Sequence, residues 1–204
     1  KKLWHMHDCP DWCRNLMQLP TVAYSGELDI QKQAADIMEL ALVKENLSLT
    51  HIIGPKTKHS IHPDSRKEIE RRLDSLAKFG RKRFPNTVDF TTYTLKYNRM
   101  NWITVTGLKE HWSKGYVQAF LRADKHLIEV YTDGVTGVEI NFPSGSSPFQ
   151  EISSVVVKID DQNFEEFDGH KTDRSVHIAF HKQNDEWKHG PAKPDGLSKQ
   201  HDLQ

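Results

Sequence analysis

Shortcuts to function are scarce in this chain of 204 residues. It has only two cysteines, Cys9 and Cys13, too few for a disulfide framework and, by themselves, too few for a structural zinc site. Neither sign of charge is in excess, with 28 Lys and Arg against 28 Asp and Glu. A nucleic-acid binder needs a basic surplus to displace counterions, so no nucleic-acid partner is expected. No apolar run approaches the ~20 residues of a membrane-spanning helix, so no membrane partner is expected either. The chain opens Lys1-Lys2-Leu3-Trp4-His5, with neither an initiating Met nor an apolar leader. It is therefore expected to carry no signal peptide and reads as a piece of something longer, which leaves its compartment open. An apolar fraction of 36% points to a thin or two-layered architecture.

Against these absences stand two kinds of periodicity. From residue 20 to 80 the pattern alternates between strand and helix. Thr21–Ser25 is a β-prone run between Pro20 and Gly26. Apolar residues at 30, 34, 37, 38, 41 and 42 then follow helical spacing over Ile30–Glu45. Leu47–Ile53 is a second β-prone run, closed by Gly54-Pro55, and Ser65-Arg66-Lys67-Glu68 fits a capping box for a second helix that ends at Gly80. A short helix is expected over Pro10–Leu19. The order β-α-β-α implies parallel strands with helical crossovers. From Val88 onward the period is two, over runs such as Tyr116–Ala123, Leu127–Thr132, Val135–Phe142 and Ser175–His181. Asp133-Gly134 carries a hairpin signal, and the whole suggests an antiparallel β-sandwich. The basic stretch Arg81-Lys82-Arg83 reads as a solvated linker, which places domains at 1–84 and 85–204, the latter ending in a polar, irregular tail.

Loops at the carboxyl ends of neighbouring parallel strands share one edge of the sheet, where α/β proteins place their sites. Here those loops carry Glu27-Leu28-Asp29 and Lys56-Thr57-Lys58-His59-Ser60-Ile61-His62. A carboxylate and an imidazole thus converge, the pairing needed to fix a His tautomer for general base catalysis. The alternative is a surface Asp and a loop His that never meet.

Tyr24-Ser25-Gly26-Glu27-Leu28-Asp29, an amphipathic helix, the run Thr50-His51-Ile52-Ile53-Gly54-Pro55 and a Gly-x4-His spacing together resemble the end of a prolyl oligopeptidase-type α/β-hydrolase domain. The resemblance covers residues 15 to 80 and extends in weaker form from 88 to 140. It implies the last β-α-β-α of an α/β-hydrolase sheet, followed by an all-β sandwich-like domain. It further implies a peptide or ester substrate, with Asp29 as the orienting acid and His59 as the general base; the loop is long enough to present His62 instead, which is the reserve. That family needs a serine on a Gly-x-Ser-x-Gly elbow. The nearest approach is Gly145-Ser146-Ser147 in a loop, so the nucleophile is expected upstream and the chain alone is expected to be inactive. No cofactor is expected.

Rival chemistries were open. His5, His7, Cys9, Cys13, His59 and His62 could supply zinc ligands, although their spacing fits no compact finger and no metal is expected. Cys9 and Cys13 could be linked. Trp102, Trp112, Tyr93, Tyr97, Tyr116 and Tyr131 could form a stacking platform, which would make the β half a non-catalytic binding module for carbohydrate or a protein partner. Glu27 and Asp29 lie in one loop and lack the facing acid that glycoside hydrolysis requires. Oligomeric state is not legible.

Overall fold

The change of period at the basic linker separates two units. The computed structural model describes residues 2–150, 154–191 and 196–198. The chain divides into His7–Lys82 and a second unit made of Lys1–Met6 with Arg83–Gln204. The expected boundaries change in two places. The division falls just before Arg83, and the first six residues belong with the β-rich unit, where His5 stacks on Tyr93 at 4.4 Å between ring centroids. Taken together the chain is a mixed α/β protein whose regular structure is mostly strand.

In the α/β unit a 3-10 helix, Cys9–Gln18, precedes β1 (Val22–Gly26), α1 (Lys32–Lys44), β2 (Thr50–Gly54) and α2 (Pro63–Phe79). The strands pair in parallel, in register from Val22 opposite Thr50 to Gly26 opposite Gly54. Such pairing is made possible by the α1 crossover. Arg14 donates to Glu45 at 2.8 Å and ties the 3-10 helix to the end of α1. Leu42 is buried, but Ile30 lies outside α1 and is 92% exposed. The capping box is not used. Helix α2 starts earlier, at Pro63, where the absent N–H costs nothing. The ring of His62 takes the N-cap role, its Nδ1 accepting from the Asp64 N–H at 3.3 Å. Gly80 ends the helix at φ +63°.

The β unit has two sheets. One runs in the order β10-β9-β7-β6-β3, built from Gln162–Asp168, Ser154–Ile159, Leu127–Asp133, Gly115–Arg122 and Thr87–Thr92. The other runs β12-β11-β8-β5-β13, from Glu186–His189, Val176–Gln183, Val135–Phe142, Ile103–Leu108 and Leu197–Ser198, with β4 (Arg99–Met100) also on β5. Alternate residues of both point into one core, among them Phe90, Val117 and Val157 from the first sheet and Val105, Ile140 and Phe180 from the second. Trp102 is fully buried, stacks on Phe142 at 5.4 Å and donates its Nε1–H to the Pro85 carbonyl at 2.8 Å.

Four expectations for this half need correction. Asp133-Gly134 is not a hairpin turn, because β7 and β8 lie in different sheets. Gly134, at φ +67°, is instead the corner where the chain changes layer. The unit is also not purely antiparallel. After β8 the chain returns to the first sheet, and β9 lies parallel to β7, with Leu127 opposite Val156. Strand β10 was not expected, because its two phenylalanines are three apart. A bulge between Phe164 and Phe167 lets both pack on the core. In the expected irregular tail, Leu197 and Ser198 pair with Leu108 and Gly107, while 192–195 and 199–204 lie outside the described residues.

Candidate functional site

The two loops at the carboxyl ends of β1 and β2 are bonded to each other before any functional side chain is considered. The Glu27 N–H donates to the Gly54 carbonyl at 2.8 Å and the Leu28 N–H to the Thr57 carbonyl at 2.9 Å. In return, the Lys56 N–H donates to Glu27 Oε2 at 2.8 Å. The approach is so close at Gly26 that a Cβ would overlap the carbonyl oxygens of Thr57 and Lys58. Only glycine satisfies that contact.

Tyr24 fastens the far end of the same loop. Its hydroxyl donates to the Ser60 carbonyl at 2.9 Å, accepts from the His62 N–H at 2.9 Å and lies 3.0 Å from Thr57 Oγ1. His59 is therefore held in a segment tied at both ends to β1 and its following loop.

On this frame Asp29 and His59 meet. Asp29 Oδ2 lies 2.9 Å from His59 Nδ1, and Asp29 Oδ1 accepts from the Gln31 N–H at 2.9 Å. The Gln31 N–H first, and His59 second, hold the Asp29 carboxyl below its ordinary value of 3.8. Ionised Asp29 can only accept, so the bonded hydrogen resides on Nδ1. In neutral His59 this leaves the Nε2 lone pair available, with no hydrogen-bond partner among the described residues. The carboxylate side chain is 10% exposed and the imidazole 78%, so Asp29 is anchored and the His59 ring is accessible.

The other candidates are engaged elsewhere. His62 caps α2. Glu27 is occupied by the Lys56 N–H. Ser147 is buried in the β unit, its hydroxyl donating to the Gly169 carbonyl at 2.8 Å. No serine among the described residues bonds to His59. Cys9 is exposed, Cys13 is buried, and no disulfide links them. His5, His7, Cys9, Cys13, His59 and His62 form no group close enough to share an ion among the described residues. Of the six aromatics, Trp102 and Tyr93 are core residues, whereas Tyr97 and Tyr131 are exposed on separate elements.

Tyr24 was not singled out from sequence as a positioning residue. Its place in the middle of β1, two residues ahead of the close contact at Gly26, was the available signal. No family model matches the chain, and neither do the curated proteins or the solved structures. Function must therefore be read from the residues themselves.

Proposed function

We propose that His7–Lys82 is the last β-α-β-α of an α/β-hydrolase sheet of the prolyl oligopeptidase type, contributing the acid and base of a serine hydrolase triad. The observation that carries this reading is the 2.9 Å Asp29–His59 contact, made through Nδ1 and leaving Nε2 open. The substrate is a peptide or ester. A serine from chain outside these residues gives its proton to His59 Nε2 as its Oγ attacks the carbonyl carbon. Asp29 stabilises the resulting imidazolium, which returns the proton to the departing amine or alcohol. Water then repeats the sequence on the acyl-serine, breaking the ester and freeing the serine.

The surroundings of the pair support a unit built to be completed. Parallel sheets are ordinarily covered on both faces, and two strands alone do not make a stable core. Here β1 and β2 form a sheet by themselves among the described residues. Ile30, Leu40, Val43, Leu73 and Phe79 stand exposed. An open groove of about 430 Å³ is lined by Leu16, Leu42, Leu47 and Leu49, among others. Additional strands and helices would cover such surfaces and bring the elbow serine to His59.

The test uses the product of the complete reading frame. A fluorophosphonate probe should label a serine upstream of Lys1, and the protein should hydrolyse activated esters. His59→Ala should lower kcat by about 10⁶-fold and Asp29→Asn by about 10⁴-fold. A reading frame without an elbow serine, or hydrolysis indifferent to both substitutions, refutes the proposal.

A further inference from the structure

We propose that Asp36, Glu39 and His51 form a binding site for a divalent transition-metal ion of the zinc type. Asp36 and Glu39 are three residues apart on α1 and so share one face of the helix. His51, on β2, points its Nδ1 between them, 3.9 Å from Asp36 Oδ1 and 3.8 Å from Glu39 Oε2. One ligand atom from each residue lies within 4.8 Å of the other two.

The imidazole argues for a ligand here beyond the acidic groups. Its side chain is 6% exposed, yet both distances from Nδ1 are too long for hydrogen bonds. Nδ1 is thus a polar atom on a buried side chain, within ion-pair range of two carboxylates but hydrogen-bonded to neither. The opposite nitrogen, Nε2, lies 3.0 Å from the hydroxyl of buried Ser25. When Nε2–H donates to Ser25, the Nδ1 lone pair faces the carboxylates. This is the arrangement of a metal-bound histidine, whose second ring nitrogen is held by a neighbouring acceptor.

Zinc bonds to nitrogen and oxygen of about 2.0–2.2 Å, in tetrahedral geometry, set ligand atoms about 3.3–3.6 Å apart. The carboxylates need to close on His51 Nδ1 by a few tenths of an ångström, and at 42% and 46% exposure their side chains have room to move toward it and each other. One imidazole with two carboxylates suits zinc-type ions better than magnesium or calcium, which take all-oxygen shells. A fourth position remains for water. Lys32 competes for the site, its Nζ lying 2.7 and 2.9 Å from the two oxygens of Asp36.

This site shares no residue with the Asp29–His59 pair, and its failure would leave the hydrolase reading untouched. Isothermal titration of the whole chain with zinc chloride, with magnesium chloride alongside, tests it. One zinc ion should bind per chain, with magnesium at least tenfold weaker. Glu39→Gln, a half-buried helical substitution that keeps the side chain's size, should weaken zinc binding at least tenfold, and Lys32→Gln should tighten it. His51→Gln should abolish it, circular dichroism confirming that this variant is folded. No zinc uptake, magnesium binding equal to zinc, or zinc affinity unchanged in Glu39→Gln overturns the proposal. The last result would place the ion on others of the 12 histidines.

Discussion

Tyr24→Phe removes one oxygen atom and should loosen the segment carrying His59 while leaving Asp29 and His59 intact. That hydroxyl accounts for two 2.9 Å hydrogen bonds, to Ser60 and from His62, and a 3.0 Å contact with Thr57. A hydrogen bond contributes roughly 0.5–1.5 kcal/mol net. The Thr57 hydroxyl already donates to the Gly54 carbonyl at 2.9 Å, so the third contact adds little. Ser60 is exposed, and water can replace its partner in the variant. The expected loss is therefore about 1–2 kcal/mol, confined to the segment between β2 and α2. Phenylalanine keeps the half-buried ring, so packing on β1 is preserved. The assay is native-state hydrogen exchange with amide resolution. The His62 amide, which loses its acceptor, should exchange roughly five- to thirtyfold faster. The amide of Ile140, deep in the β unit, serves as the control and should not change. An unchanged rate at His62 would refute the role given to the hydroxyl. A matching rise at Ile140 would show a general loss of stability instead of a local tether.

Gly26→Ala should cost about 1–3 kcal/mol in urea unfolding, since the new methyl overlaps two carbonyl oxygens of the β2–α2 loop; a variant as stable as the parent would mean that the loops are not pressed together there. The 204-residue chain alone should be inert to fluorophosphonates; labelling at Ser25, abolished by His51→Ala, would move the nucleophile onto β1 through their 3.0 Å contact. Acid should expose the role of Asp173, whose carboxyl is lowered from 3.8 to about 2 by hydrogen bonds from Ser175 and Ser144. Because the unfolded carboxyl takes up its proton first, this contribution is whole above pH 3.8 and is lost as pH falls toward about 2. Asp173→Asn should therefore flatten the fall in stability across that window, and an unchanged slope would count against the bonds.

The convergence of Asp29 and His59 could be anticipated because it depends only on topology. Parallel strands joined by one helical crossover put their following loops on one edge, whatever the details of packing. Strand runs in the β half were legible for a similar reason, since alternation at Val117, Ala119 and Leu121 reports a half-buried surface directly. Partners were not legible from those runs. Asp133-Gly134 has the composition of a tight turn, but a positive φ at Gly134 serves a change of layer equally well. The layer change is decided by which face of β8 meets the core, a long-range fact. Phe164 and Phe167 failed a strict period-two test because a bulge resets the period in mid-strand.

The pairing of Ser25 with His51 shows where such reading stops. Both residues belong to runs correctly expected to be strands, but whether they touch depends on register. With Ala23 opposite His51 and Ser25 opposite Ile53, the two side chains are diagonal neighbours on one face of the sheet. A shift of one residue would turn His51 to the other face and remove both the Ser25 contact and its approach to Asp36 and Glu39. In a β-α-β unit the crossover does not set that register from sequence; the close contact at Gly26 and the Tyr24 tether hold it from the ends of the strands. The same contacts that present His59 at the sheet edge therefore also fix His51 beneath α1. Loosening β1 against β2 should disturb both sites together, whereas Glu39→Gln, beside His51 on the half-buried side of α1, should disturb only the second.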